Sequence, residues 1–292
     1  MNDYRTLINW YPGHMAKTKR LLMDQIRRID LIIELCDARL PQSSRNPELT
    51  EMIQKKKHLL FLNKSDLADP EMNSNWIRYF RIAGIDAHLM DAVRIRSKET
   101  IGLIDRTTRE IVAKALEKGV RKTVRAMIVG IPNVGKSTLI NRLYGRSVTR
   151  IGDRPGVTKS NQWVKISPYL ELLDTPGLLW PKLDDQISAR RLCYIGSIKD
   201  DVVDQAELTI HLLDDLCELV PDRVMERFHI CDTSLRGLKL MEAVCDGRGW
   251  RLKGAQYDYD RCSSIVLDEF RAGKLGRITL ERPPVNREQE TY

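Results

Sequence analysis

Apolar residues along this chain fall in short blocks separated by polar turns, and the blocks are of two kinds. Continuous β-rich runs occur in DLIIELCDARL (residues 30–40), HLLFLNKSD (58–66) and IDAHLMDA (85–92). Each reads as a buried strand that ends in a polar loop. Between them, PELTEMIQKKK and DPEMNSNWIRYFRIAG carry prolines and acids suited to helix starts, and the second closes on Gly84. SKETIGLIDRTTREIVAKALEKG spaces its apolar residues as an amphipathic helix does, predicted to be capped by Ser97 and ended by Gly119. A strand in TVRAMIVG, a glycine loop and a helix over about 136–144 come next, then strands in NQWVKIS and LELLDTPG. This alternation predicts an α/β fold, a mostly parallel sheet with helices on both faces. Past Trp180 the strand signals fade, and helical periodicity runs to about Arg271. The expected division is an α/β domain over residues 1–180, with an N-terminal segment 1–20, and a smaller all-α domain over 181–292.

Composition narrows the class. The 292 residues are 42% hydrophobic and 30% charged, which fits a folded soluble protein and not a disordered one. No apolar run approaches the roughly 18 residues a membrane helix needs. The first twenty residues lack the apolar core of a signal peptide, so the expectation is a cytoplasmic protein. Six scattered cysteines form no CxxC pair and read as buried free thiols. The net charge of +8 is uneven: residues 1–200 hold 35 Lys and Arg against 22 Asp and Glu, residues 201–292 hold 13 against 18. Ten basic residues and one acid lie within residues 121–165, a surplus that favours a polyanionic partner such as nucleic acid.

GIPNVGKS (residues 130–137) fits G-x-x-x-x-G-K-[ST] and lies between a predicted strand and a predicted helix. Glycines there let backbone N–H groups turn towards phosphate oxygens, and the helix start adds partial positive charge. Asn133, Val134, Gly135, Lys136, Ser137 and Thr138 are the candidate phosphate contacts. Lys136 would reach the β/γ-phosphates and Ser137 would serve Mg²⁺. NKSD (Asn63, Lys64, Ser65, Asp66) reads as the base reader: Asp66 can accept from the two donors of guanine, a pair adenine lacks. Lys64 would lie along the base, and Asn63 would brace the phosphate loop. Asp91 and the Ala92 N–H, at the next strand's end, are candidates for the guanine oxygen. In LELLDTPGL, Asp174 would hold Mg²⁺ and the Gly177 N–H would sense the γ-phosphate, while Thr158 in RPGVTKS would close on Mg²⁺ with triphosphate bound.

The base reader precedes the phosphate loop, the reverse of the usual order. Placing the strand of residues 30–36 after the Asp174 loop restores the standard sequence of a GTP-binding domain. The fold class is therefore a circularly permuted P-loop GTPase domain followed by an all-α domain. Permutation makes the segment after Asp174 lead directly into the second domain.

These residues in this order resemble the circularly permuted GTPases, most closely the ribosome biogenesis GTPase A family (RbgA, also called YlqF). WYPGHMAKT, DARLPQSSRNPEL, NKSD, GIPNVGKST, PGVT, DTPGL and EFRAGKLGRITLE carry the resemblance over essentially the whole chain. It implies GTP hydrolysis coupled to a late step of large ribosomal subunit assembly, with rRNA and ribosomal proteins as partners. It also implies an RNA-binding helical domain, for which Arg271, Lys274, Arg277 and Arg282 are the candidate basic cluster. Leu178 stands where many signalling GTPases place a water-orienting Gln, and the resemblance points to His14 as the substitute. A histidine can orient or deprotonate water near neutral pH. Related GTPases also use the residue matching Asn133 to hold K⁺. The expected cofactors are GTP/GDP, Mg²⁺ and K⁺, in a chain that is monomeric off the ribosome and meets no membrane. Leu178 and the isolated His14 leave a second reading open, an rRNA-binding scaffold with GTP as a structural ligand.

Overall fold

The computed structural model describes residues 24–47, 53, 56–145, 162–175, 177 and 185–284. Six strands form one sheet: β1 (Leu31–Asp37), β2 (Lys57–Asn63), β3 (Ala87–Leu89), β4 (Val124–Gly130), β5 (Gln162–Ser167) and β6 (Leu170–Asp174). Their spatial order is β3-β2-β1-β4-β6-β5, with every pairing parallel except the edge hairpin of β5 and β6. Alternate residues of β1 face opposite ways: Leu31, Ile33 and Leu35 join one apolar cluster, Ile32 another, and all are fully buried. Both faces are thus covered, as the unbroken apolar runs predict.

Helix α1 (Pro70–Ile82) begins on Asp69, whose carboxylate accepts from the N–H groups of Glu71 and Met72. It lays Trp76 and Phe80 on Leu60 and Leu62 of β2. Helix α2 (Ser97–Leu116) corrects one expectation. Ser97 is its first helical residue, not its cap, and the Ser97 hydroxyl donates to the Arg142 carbonyl at 2.9 Å. Arg142 lies in the last turn of helix α3 (Lys136–Tyr144), where its carbonyl takes this hydroxyl beside a longer bond of 3.3 Å from the Gly145 N–H.

The helical part comprises α4 (Gln186–Tyr194), α5 (Gln205–Leu219), α6 (Pro221–Phe228), α7 (Leu238–Arg248) and α8 (Tyr259–Arg271). Leu212, Leu216, Phe228, Met241 and Val266 are buried together at its centre. Three helix starts use an aspartate: Asp185, Asp204 and Asp258 accept from their first-turn N–H groups. Part of the acid surplus of this region therefore serves the helix ends, each cap contributing about 1 kcal/mol.

Parallel register brings four loops to one edge. Asp37 pairs with Asn63, Leu35 with Gly130, and Ile128 with Asp174. Ligand loops of parallel sheets gather at the carboxyl ends of the strands.

Candidate functional site

Asn63 is the hub of that edge. Its Nδ2 donates to the Val134 carbonyl at 2.7 Å, and its Oδ1 accepts from the Ala92 N–H at 2.9 Å. The side chain is buried and spends its amide on two backbone groups, so the base-reading strand, the phosphate loop and the loop after β3 are locked together. This changes the reading of Ala92: its N–H is taken by Asn63 and braces the loops. Asp91 caps its own loop, accepting from the Val93 and Arg94 N–H groups at 2.9 and 3.2 Å.

The phosphate loop is built as its spacing requires. Gly135 stands at φ +103°, and a Cβ there would lie 2.3 Å from Asn63 Nδ2. Lys136 folds beneath the loop, donating to the carbonyls of Gly130 at 3.1 Å and Ile131 at 2.8 Å. Burial pushes its ammonium down to about 8, against the pull of Asp174. Val134 is buried beneath the loop, while Ser137 and Thr138 are half-buried at the start of α3. That helix start has no side-chain cap, which leaves its N–H groups for an anion.

Ser137 Oγ donates to Asp174 Oδ2 at 3.4 Å. Asp174 is buried, its carboxyl raised by that burial, and its Oδ1 finds no hydrogen-bond partner among the described residues. A buried carboxylate with an orphaned oxygen beside a hydroxyl fits a hard divalent cation such as Mg²⁺. Thr175 anchors the same turn through its hydroxyl on the Ile128 carbonyl at 2.7 Å. At Gly177 a Cβ would meet Pro132 at 2.6 Å, so this turn lies directly on the phosphate loop. His14, Thr158 and Leu178 lie outside the described residues.

In the base-reading loop, Lys64 adopts φ 58° and its Nζ pairs with Asp37 at 3.2 Å. Asp66 is exposed, and Ser65 donates through both N–H and Oγ to the Met90 carbonyl at 3.0 and 2.9 Å. Asp37 is an unforeseen member of the site. It is fully buried, gripped by the Arg39 guanidinium at 2.9 and 2.8 Å. Burial raises its carboxyl, but Arg39 and Lys64 together outweigh that and hold it well below the usual carboxylate range. The available signal was an acid at the carboxyl end of a buried strand, two residues before an arginine.

The expected basic cluster divides. The guanidinium of Arg271 pairs with Asp200 at 2.7 Å and donates to the carbonyls of Tyr194 and Cys193. It secures the end of α4, where the last carbonyls of a helix lack successors in the ladder. Arg277 is exposed but donates to the carbonyls of Ala68 and Ser65. Lys274 and Arg282 are exposed. Five of the six cysteines are buried, Cys231 is exposed, and no metal-holding cluster occurs among the described residues. None of the described helices is long and apolar enough to cross a membrane.

The comparisons agree with this geometry. A family model described as a 50S ribosome-binding GTPase matches residues 125–238. Ribosome biogenesis GTPase A of Bacillus cereus is 42% identical over 282 residues, covering 95% of this chain and 94% of that protein. Mitochondrial ribosome-associated GTPase 1 of Bos taurus is 32% identical, covering 95% and 90%. GNP-bound YlqF from T. maritima shares the fold at a TM-score of 0.67 and 24% identity, covering 91% of this chain and 98% of that one. The order of strands and loops is accordingly the circularly permuted one, with the phosphate loop following the base reader. The chain belongs to the ribosome biogenesis GTPase A family and is a GTP hydrolase with a circularly permuted G domain.

Proposed function

We propose that this ribosome biogenesis GTPase binds the large ribosomal subunit or its late precursor and couples GTP hydrolysis to a maturation step. The observation that supports this reading is a direct link between the phosphate loop and the helical part. Asn133 Nδ2 donates to the Gly196 carbonyl at 2.7 Å, and Ser197 Oγ donates to the Pro132 carbonyl at 3.0 Å. The loop that would hold the phosphates is then one hydrogen bond from the part that would meet rRNA. Lys274 and Arg282, exposed at its end, are suited to phosphate contacts.

In this reading Asp66 selects guanine, Asn63 fixes the loops, and the backbone of residues 133–138 with Lys136 holds the phosphates. Ser137, Asp174 and Thr158 would hold Mg²⁺, which when bound neutralises charge on the β- and γ-oxygens. The Gly177 N–H would sense the γ-phosphate. Asn133 would hold K⁺, adding positive charge beside the transferring group. His14 would orient the attacking water once the subunit has placed its segment. The setting is cytoplasmic.

Turnover of GTP and ATP in K⁺ and Na⁺ buffers, with and without purified large subunits, tests the proposal. It predicts GTP-selective turnover that subunits stimulate strongly and Na⁺ supports poorly. His14→Ala should lose about 100-fold of the stimulated rate, the scale of general acid–base assistance. Subunit binding without any stimulation would favour the scaffold reading instead.

A further inference from the structure

Beyond α8, residues 275–281 run along the back of the loop that carries Asp66, and they hold its backbone. Arg277 Nε donates to the Ala68 carbonyl at 2.9 Å, and Arg277 Nη2 to the Ser65 carbonyl at 3.1 Å. The Ile278 N–H donates to the Leu67 carbonyl at 3.0 Å. In the other direction, the Asp69 N–H donates to Thr279 Oγ1 at 3.0 Å. From the helix side, Asn73 Nδ2 donates to the same Ser65 carbonyl at 3.0 Å. Ser65, Leu67, Ala68 and Asp69 are each pinned by the far end of the chain, while Asp66 between them is exposed.

A short exposed turn has no rigidity of its own, because ordering each residue costs about 1–2 kcal/mol of backbone entropy. Reading guanine needs two carboxylate oxygens placed against the N1–H and the exocyclic amine together. A carboxylate that wanders by an ångström keeps one of these bonds and loses the other. The guanidinium of Arg277 spans the turn and fixes the carbonyl just before Asp66 and one just after Leu67. A forked donor reaching two acceptors sets direction as well as distance.

We infer that Arg277 is a positioning residue for guanine selectivity, holding the turn so that Asp66 meets both base donors at once. This rests on the reading of Asn63 to Asp66 as the base reader. It assigns the C-terminal segment a part in choosing the nucleotide, separate from any contact with rRNA. Arg277 is itself exposed, so replacing it opens no core cavity.

The test compares GDP with IDP, which keeps N1–H and lacks the exocyclic amine, by displacement of a fluorescent GDP from the full chain. Arg277→Gln should weaken GDP binding about tenfold and narrow the GDP-to-IDP affinity ratio at least about threefold, the scale of one charged hydrogen bond. Arg277→Lys, able to reach one carbonyl at a time, should fall between. Thr279→Val, which removes the acceptor for Asp69, should narrow the ratio too and covers the case of a poorly folding Arg277 variant. Folded Arg277→Gln and Thr279→Val proteins with the wild-type ratio would overturn the inference. Asp66→Asn separates the two layers. If it leaves the ratio intact, the base-reader reading falls and this inference with it. If it collapses the ratio while the Arg277 and Thr279 variants do not, only the inference falls.

Discussion

The side-chain amide of Asn133 donates to the carbonyl of Gly196 at 2.7 Å, tying the tip of the phosphate loop to the turn after α4. Asn133 sits at φ 58°, a left-handed conformation that asparagine tolerates better than most residues. The guanidinium of Arg271 lies beside Gly196 while bonding Tyr194, Cys193 and Asp200. A shift of the loop on nucleotide exchange would therefore act on the turn after α4. Rigid, discretely packed contacts transmit small shifts better than soft ones do.

Ser197→Ala probes this turn. The hydroxyl of Ser197 is buried and serves the Pro132 carbonyl at 3.0 Å. Its loss leaves that carbonyl unpaired and should cost about 1–2 kcal/mol in urea unfolding. GDP affinity should stay within about twofold, since no phosphate contact is removed. A large loss of GDP binding with unchanged stability would show that the contact works differently.

Asp37→Asn probes the support of Lys64. The folded carboxyl lies below its unfolded value because Arg39 and Lys64 overcome the effect of burial. Its stabilisation is therefore complete above pH about 4 and is lost as the pH falls towards the folded value. At pH 7 the variant should be less stable by about 3–5 kcal/mol, the cost of breaking a buried pair. Below pH 4 the gap should close by about 1.4 kcal/mol per pH unit. Urea curves at pH 7 and pH 3 measure it, and a gap independent of pH would contradict the assignment.

Gly135→Ala tests the hub. The added Cβ would sit 2.3 Å from Asn63 Nδ2 at a φ of +103°, so both sterics and backbone strain oppose it. Strain alone costs about 1–3 kcal/mol, and displaced Asn63 would release Val134 and Ala92 together. GDP affinity should drop about 100-fold or more, read by calorimetry.

Legibility in the sequence followed the range of the signal. GIPNVGKS encodes a turn, a helix start and a lysine within eight residues, and helix α3 falls on the expected Lys136–Tyr144. The ends of β2, β4 and β6 are readable as ligand edges because motif residues follow continuous apolar runs there, whereas the end of β1, with Asp37, carries no such motif. Partners far apart in the chain left no such mark. Ser97 has the composition of a cap, yet its hydroxyl serves Arg142 across a helix–helix contact. Arg271 and Arg277 look like a basic patch, yet both serve backbone carbonyls of this chain. A cation's charge can be read locally, whereas its acceptor is decided by tertiary packing.

In the proposed function the nucleotide at the phosphate loop would set the grip of the helical part on the large subunit. Affinity for purified large subunits, measured with a non-hydrolysable GTP analogue and again with GDP, tests it most directly. Binding should be at least about tenfold tighter with the analogue, a coupling of about 1.4 kcal/mol or more. Equal affinity in the two states would contradict it, because a ligand with no preference between two states shifts neither.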